Sequence, residues 1–289
     1  MPTVLVLLDQ AMHFLQHRQV QQPRSDAEWI LADVLGCRRC DLYTLLEKSV
    51  DQVAVSEFRT LVGRRGRREP LQYILEVSDF YNVSLRNDGR ALIPRPETEE
   101  LVEFIVDVWK KKAPSHVRIL DLGTGSGAIG IALAKALPES EVMAIDIDSN
   151  ALKLALENAE SNCVSNISFR LSDWFENVEG CFDLVVANPP YLTQEEVRGA
   201  EPEVRDYEPI GALCSDQGGI ADLLKILRQA WVFMTSGASL ILEMGSNHGN
   251  LLKEEALKLG FCPVQIRRDV SGRPRFLIAD RGTGVPLEP

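Results

Sequence analysis

Asp121-Leu122-Gly123-Thr124-Gly125-Ser126-Gly127 is the turn on which the fold reading rests. The apolar run 117–120 before it has the length and composition of a buried strand, and residues 128–137 after it suit a buried helix. A strand that passes through a glycine-rich turn directly into a helix opens a βαβ unit. The alternation then repeats. Strands are expected over 142–145, 167–171, 182–187, 239–242, 264–266 and 275–278, with helices over 151–159, 223–233 and 251–259. This order predicts an α/β domain built on a doubly wound, mostly parallel, seven-stranded sheet.

The glycines let the backbone turn tightly and approach a ligand without Cβ clashes, and the helix N-terminus behind them favours an anion. Gly123, Thr124, Gly125, Ser126 and Gly127 are therefore candidate cofactor-binding residues. Asp146 ends the next predicted strand, where a carboxylate can accept from two ribose hydroxyls. Gly123, Gly125 and Ala128 also satisfy a relaxed dinucleotide fingerprint, so the loop alone leaves a nicotinamide dinucleotide and S-adenosylmethionine both open. Asp173 and Trp174 follow the third strand and favour adenosine without a pyrophosphate. Asp173 can accept from the adenine amino group. Trp174 can cover the ring, although a tryptophan there also suits the core.

Downstream, the apolar run 182–187 stops at Asn188-Pro189-Pro190-Tyr191. Two prolines lack N–H groups and cannot extend a ladder, so the strand must end there. The Asn188 amide and neighbouring carbonyls are then held at the carboxyl end of a sheet, where open α/β folds bind ligands. Rigid acceptors closed by an aromatic ring suit a planar NH2 group. Read alone, the same residues could be a turn or an exposed polyproline ligand.

The chain before this domain differs in character. Residues 1–70 read as a small helical domain, with Leu5, Leu8, Met12 and Leu15 at helical spacing. Ser25 and Glu28 have capping-box spacing, Gly36 closes that helix, and a further helix is expected over 55–67. Arg64, Arg65, Arg67 and Arg68 form a basic knot, read either as a solvated helix end or as a contact for an acidic or RNA-like partner. Residues 71–93 read as a β-hairpin linker, with β-like runs at 72–75 and 80–83 around Ser78-Asp79 and a turn signal at Asn87-Asp88-Gly89. From residue 94 the third region begins, with Pro96 at the first position of a helix carrying Leu101, Phe104, Ile105 and Val108.

A net charge of -11 over 289 residues argues against a broad phosphate-binding surface. No run approaches the roughly 20 apolar residues that span a bilayer, and the short run 4–8 lacks the basic flank of a secretory signal. Six scattered cysteines, with Cys37 and Cys40 as a lone CxxC, fit a reduced cytoplasmic protein better than a zinc or disulfide scaffold, so no metal is expected.

In this order, the glycine loop, Asp146, Asp173-Trp174 and Asn188 to Tyr191 resemble class I, Rossmann-like S-adenosylmethionine methyltransferases acting on planar nitrogens. More narrowly the chain resembles the protein-(glutamine-N5) methyltransferases of release factors, the PrmC/HemK family. Supporting stretches are Pro70-Leu-Gln-Tyr-Ile74, Leu92-Ile-Pro-Arg-Pro-Glu-Thr-Glu99, Glu203-Val-Arg-Asp-Tyr-Glu-Pro209 and Gly272-Arg-Pro-Arg275, and the likeness runs from about residue 24 to 279. Residues 76–78 and 215–219 depart from the family pattern. The resemblance implies S-adenosyl-L-methionine as cofactor, with S-adenosyl-L-homocysteine as product. It implies Asn188, Pro189, Pro190 and Tyr191 as catalytic and substrate-binding residues, with Asn188 also near the cofactor. It further implies class I peptide-chain release factors as protein substrate, recognised through the helical domain 1–70, with the methyltransferase domain over 94–289. The chain is expected to be monomeric, with no membrane and no direct nucleic-acid substrate. Rival readings are glutamine methylation of a ribosomal protein, an adenine-N6 nucleic-acid methyltransferase, and a cofactor-binding protein without turnover. A dehydrogenase is disfavoured because His13, His17, His116 and His248 lie away from the predicted strand ends.

Overall fold

The computed structural model describes residues 1–112 and 116–282. The chain forms two compact units, Met1–Val77 with Glu201–Tyr207, and Ser78–Ala200 with the chain from Glu208 onward.

The first unit is helical: α1 (Val4–His17), α2 (Pro23–Val34), a 3-10 turn (Arg39–Thr44), α3 (Gln52–Gly66) and α4 (Leu71–Leu75). The apolar stripe of α1 is rotated from the expected one. Val4, Leu7, Leu8, Ala11 and Leu15 are buried, whereas Leu5 is 39% exposed. The expected capping box at Ser25 and Glu28 does not form. Pro23 starts α2 one turn earlier, and Glu28 turns inward to accept from Arg24 (3.0 Å), Arg39 (2.8 Å) and the Tyr43 hydroxyl (3.1 Å). Residues 72–75 are helical, not β-like. Gly36 does close α2, at φ +60.

The basic knot fits neither reading proposed for it. Arg65 is buried and pairs with Asp26 (2.7 Å) and Glu203 (2.7 Å), while Arg68 binds Glu203 and Glu201, and Arg64 binds Glu69. The partners Glu201 and Glu203 come from the segment that ends in α9 (Pro202–Tyr207), more than 130 residues along the chain.

The second unit begins with a two-stranded hairpin, β1 (Val77–Phe80) and β2 (Val83–Arg86), whose turn is Tyr81-Asn82 rather than Ser78-Asp79. Tyr81 takes φ +51 there, and its N–H donates to Glu99. The segment 71–93 is thus not one linker: it supplies a helix to the first unit and a hairpin to the second.

The hairpin is followed by α5 (Pro96–Lys112), β3 (Val117–Leu122), α6 (Ala128–Ala136), β4 (Ser140–Asp146), α7 (Ser149–Ser161), β5 (Ile167–Leu171) and β6 (Phe182–Ala187). Then come α8 (Gln194–Gly199), α10 (the single turn Asp216–Gly219), α11 (Ala221–Ala230), β7 (Met234–Glu243), α12 (Gly249–Lys258), β8 (Val264–Arg268) and β9 (Pro274–Asp280). The seven-stranded sheet has the order β5-β4-β3-β6-β7-β9-β8, and β9 alone runs opposite to the other six strands.

The central strands are apolar on both faces, as a covered parallel sheet requires. Ile119, Leu184, Val186 and Ile241 face a layer formed with α5, α6 and the hairpin. Their neighbours Leu120, Val185, Leu240 and Leu242 face the opposite layer with α11 and α12. Both layers together hold the sheet rigid, and its carboxyl edge inherits that rigidity.

Candidate active site

Strand register assembles the site. Leu122 pairs with Ile145 on one side and with Ala187 on the other, and Ala187 pairs with Leu242. The next residues, Gly123, Asp146, Asn188 and Glu243, therefore stand along one edge, at the point where the strand order reverses between β3 and β6. Open α/β sheets bind their ligands at that point.

The glycine loop is held from below. Gly123, Gly125 and Gly127 all take positive φ, which only glycine adopts without strain. Thr124 donates its N–H to the Ile145 carbonyl (2.8 Å) and its hydroxyl to Asp121 Oδ2 (2.6 Å). Gly125 N–H donates to Asp146 Oδ2 (2.8 Å), and Asp148 N–H donates to Asp146 Oδ1 (2.9 Å). Each Asp146 oxygen keeps a lone pair, and burial raises the pKa of this half-buried carboxyl. Asp121 is fully buried, and burial pushes its pKa up to about 7. Its Oδ1 has no hydrogen-bond partner among the described residues.

Trp174 also sits at this edge, at φ +47. A Cβ added to Gly123 would lie 3.4 Å from its ring. The indole N–H donates to Asp222 (3.2 Å), which the Ser215 hydroxyl also binds (2.6 Å). Asp173 is engaged by Lys225 at 2.8 and 3.0 Å, a partner that the sequence reading did not foresee. The loop geometry, the lone pairs of Asp146 and the orphan oxygen of Asp121 make a cradle that fits an adenosine bearing a charged amino-acid tail.

On the other side of β3, β6 ends at Ala187 and Asn188-Pro189-Pro190-Tyr191 follow. Asn188 Nδ2 donates to Thr98 Oγ1 (3.0 Å), and the Thr98 hydroxyl donates to Glu243 Oε2 (2.7 Å). The Tyr191 hydroxyl donates to Glu243 Oε1 (3.0 Å), and Arg275 lies 3.5 Å from that hydroxyl. Burial and the Glu243 carboxylate both raise the pKa of Tyr191, so it stays protonated. Tyr191 is also braced from behind. A Cβ on Gly219, which has φ +84, would collide with the Tyr191 carbonyl, so residues 215–219 close on it.

A family model described as the PrmC N-terminal domain matches residues 7–75, and one described as the methyltransferase small domain matches 101–201. A release factor glutamine methyltransferase of Rhodopirellula baltica is 36% identical over 95% of this chain and 95% of its own length. That of Salmonella typhimurium is 37% identical over 90% of this chain and 93% of its own. The chain belongs to the release factor glutamine methyltransferase family. Among solved structures, a methyltransferase from Pyrococcus furiosus superposes with a TM-score of 0.54 at 22% identity, covering 76% of this chain and 98% of its own. The hMettl16 catalytic domain gives 0.57 at 19% identity, over 79% and 84%. These two likenesses concern the fold alone, which is that of a class I methyltransferase.

Several side chains around Asn188 and Tyr191 carry little local signal in the sequence. Thr98 and Arg275 sit inside quoted stretches, but nothing local marks them as partners of Asn188 and Tyr191. Glu243 falls one residue past the strand expected over 239–242 and closes β7. A carboxylate closing an otherwise apolar strand was the available signal. His248 corrects an expectation: it is buried on the loop after β7, its Nε2 3.2 Å from the Gly218 carbonyl, beside the Gly219 that braces Tyr191.

Proposed function

We propose that this chain transfers a methyl group from S-adenosylmethionine to the side-chain amide nitrogen (N5) of the glutamine in the Gly-Gly-Gln motif of class I release factors. One observation carries the reading: a carboxamide, Asn188, fixed one strand away from the glycine loop, whose NH2 is held by Thr98 and whose oxygen has no hydrogen bond given to it among the described residues. The names of its relatives point to the same acceptor.

When bound, S-adenosylmethionine would supply an electrophilic sulfonium methyl, with Gly123 to Gly127 under its amino-acid tail, Asp146 on its ribose and Trp174 beside its adenine. Asp173, engaged by Lys225, would meet the adenine only at the rim. A glutamine amide is a poor nucleophile because its lone pair is delocalised into the carbonyl. The Asn188 oxygen and the Pro189 carbonyl accept its two N–H groups, which lets the nitrogen pyramidalise toward the methyl. Tyr191 supplies a flat wall. It is no base, because its hydroxyl is a donor to Glu243. On transfer the nitrogen lone pair would take the methyl, the electrons of the methyl–sulfur bond would stay on sulfur as the thioether of S-adenosylhomocysteine, and the nitrogen would lose one proton to water. Alignment of this kind can supply roughly 7–11 kcal/mol.

The test is incubation with labelled S-adenosylmethionine and three acceptors: a release factor, a ribosomal protein, and adenine-containing DNA or RNA. Peptide mapping by mass spectrometry should find the label on the Gly-Gly-Gln glutamine. Label on adenine or on the ribosomal protein alone overturns the assignment.

A further inference from the structure

The geometry points to Thr98 and Glu243 as positioning residues that fix which way round the Asn188 amide sits. This rests on the transferase reading above.

One chain of side chains, Glu243, Thr98 and Asn188, shares a fixed number of protons. Glu243 is 1% exposed and, when ionised, can only accept. It accepts one hydrogen bond from the Thr98 hydroxyl at 2.7 Å and another from the Tyr191 hydroxyl at 3.0 Å. A threonine hydroxyl has one hydrogen. Spent on Glu243, it leaves Thr98 able only to accept from Asn188, which stands 3.0 Å away. Asn188 must then turn its NH2 inward and its oxygen outward. An outward oxygen is an acceptor for a substrate NH2 group; an outward NH2 would repel one. Glu243 is therefore the residue that gives the receptor its polarity, acting through Thr98 on Asn188.

A neutral Glu243 would reverse the chain. Its own proton would go to Thr98, whose hydroxyl would donate to Asn188, and the amide would favour the turned orientation. Groups facing Glu243 are Thr98 and Glu97 from α5, Tyr191 after β6, and Arg275 from β9, which Asp269 also binds. Burial raises the pKa of Glu243, and protonating it is expected to lower kcat on the acidic side.

The experiment compares wild type, Thr98→Val, Thr98→Ser and Glu243→Gln in transfer to a glutamine amide, with S-adenosylhomocysteine binding measured by calorimetry. Thr98→Val should lower kcat about 10- to 100-fold, with product affinity nearly unchanged. Thr98→Ser should restore the rate to within about threefold, because it keeps the hydroxyl. Glu243→Gln should lower kcat and abolish the acidic limb. If Thr98→Val loses its fold, shown by lost calorimetric binding, Thr98→Ser and the Glu243→Gln pH profile decide. No transfer by wild type to any carboxamide overturns the transferase reading itself. Wild-type transfer together with an unchanged kcat in Thr98→Val, or an acidic limb retained in Glu243→Gln, overturns the relay alone.

Discussion

Asn188 is the residue on which the proposed chemistry turns. Its backbone place is set by the prolines that end β6, and its side chain by Thr98. Asn188→Ala removes one of two acceptors for the substrate amide but leaves the glycine loop intact. Turnover should fall at least about a hundredfold, while S-adenosylhomocysteine affinity measured by calorimetry changes only modestly. Near-normal turnover would rule Asn188 out of the receptor. Asp121 makes a second prediction. Burial raises its pKa from 3.8 to about 7, so between those values the folded chain holds a proton that the unfolded chain releases. Its contribution to stability therefore falls as pH rises through that window, and is flat outside it. In Asp121→Asn that slope is absent. Urea unfolding at pH 5 and pH 7.5 should show the stability gap moving in favour of the variant, by on the order of 2–4 kcal/mol. An identical gap at both values would sink the idea.

At the scale of elements, the decisive junction is the passage from β3 through the loop into α6. Gly127 takes φ +86, and a Cβ there would stand 2.5 Å from Ile131 Cδ1 and 3.2 Å from Ala155. It is also the residue from which α6 starts. Gly127→Ala adds left-handed strain to a clash between the loop and two helices. Thermal unfolding should show a loss of about 2 kcal/mol or more, with weakened S-adenosylhomocysteine binding. The same loss without any effect on binding would mean that the loop adapts independently of the helix. A similar economy shows in α8, which Thr193 and Glu196 open with a reciprocal capping box, at 3.1 and 2.8 Å.

For the molecule as a whole, the helical unit is not closed by its own contiguous chain. Arg65 reaches Asp26 within the first helices and Glu203 from the distant segment 201–207, and its side chain is 7% exposed. Removing it leaves two carboxylates with little water and no shared partner. Arg65→Ala should destabilise this unit by about 3–5 kcal/mol, the usual cost of breaking a buried ion pair by removing one member. Calorimetric unfolding of the full chain should show it. An unchanged transition would show that water replaces the guanidinium. The net charge of -11 is likewise a whole-molecule property, and the basic knot does not offset it as a free patch because most of its charges are spent inside the unit.

The sequence by itself determined the seven strands from β3 onward and the main helices between them, the two places where the backbone must turn, and the residue types at those turns. Gly123 to Gly127 and Asn188 to Tyr191 are legible because glycine and proline restrict the backbone locally, whatever surrounds them. The α4 helix and the rotated stripe of α1 were not legible, since short apolar segments take their conformation from what they pack against. Only the tertiary structure decided which side chains meet. Thr98, Asn188 and Glu243 are separated by 90 and 145 residues from Thr98 onward; parallel register sets Asn188 beside Glu243, and the packing of α5 on the sheet brings Thr98 to both. The same holds for Arg65 and Glu203. A hydrogen bond depends on a distance of about 3 Å, and no local pattern encodes that distance between residues so far apart.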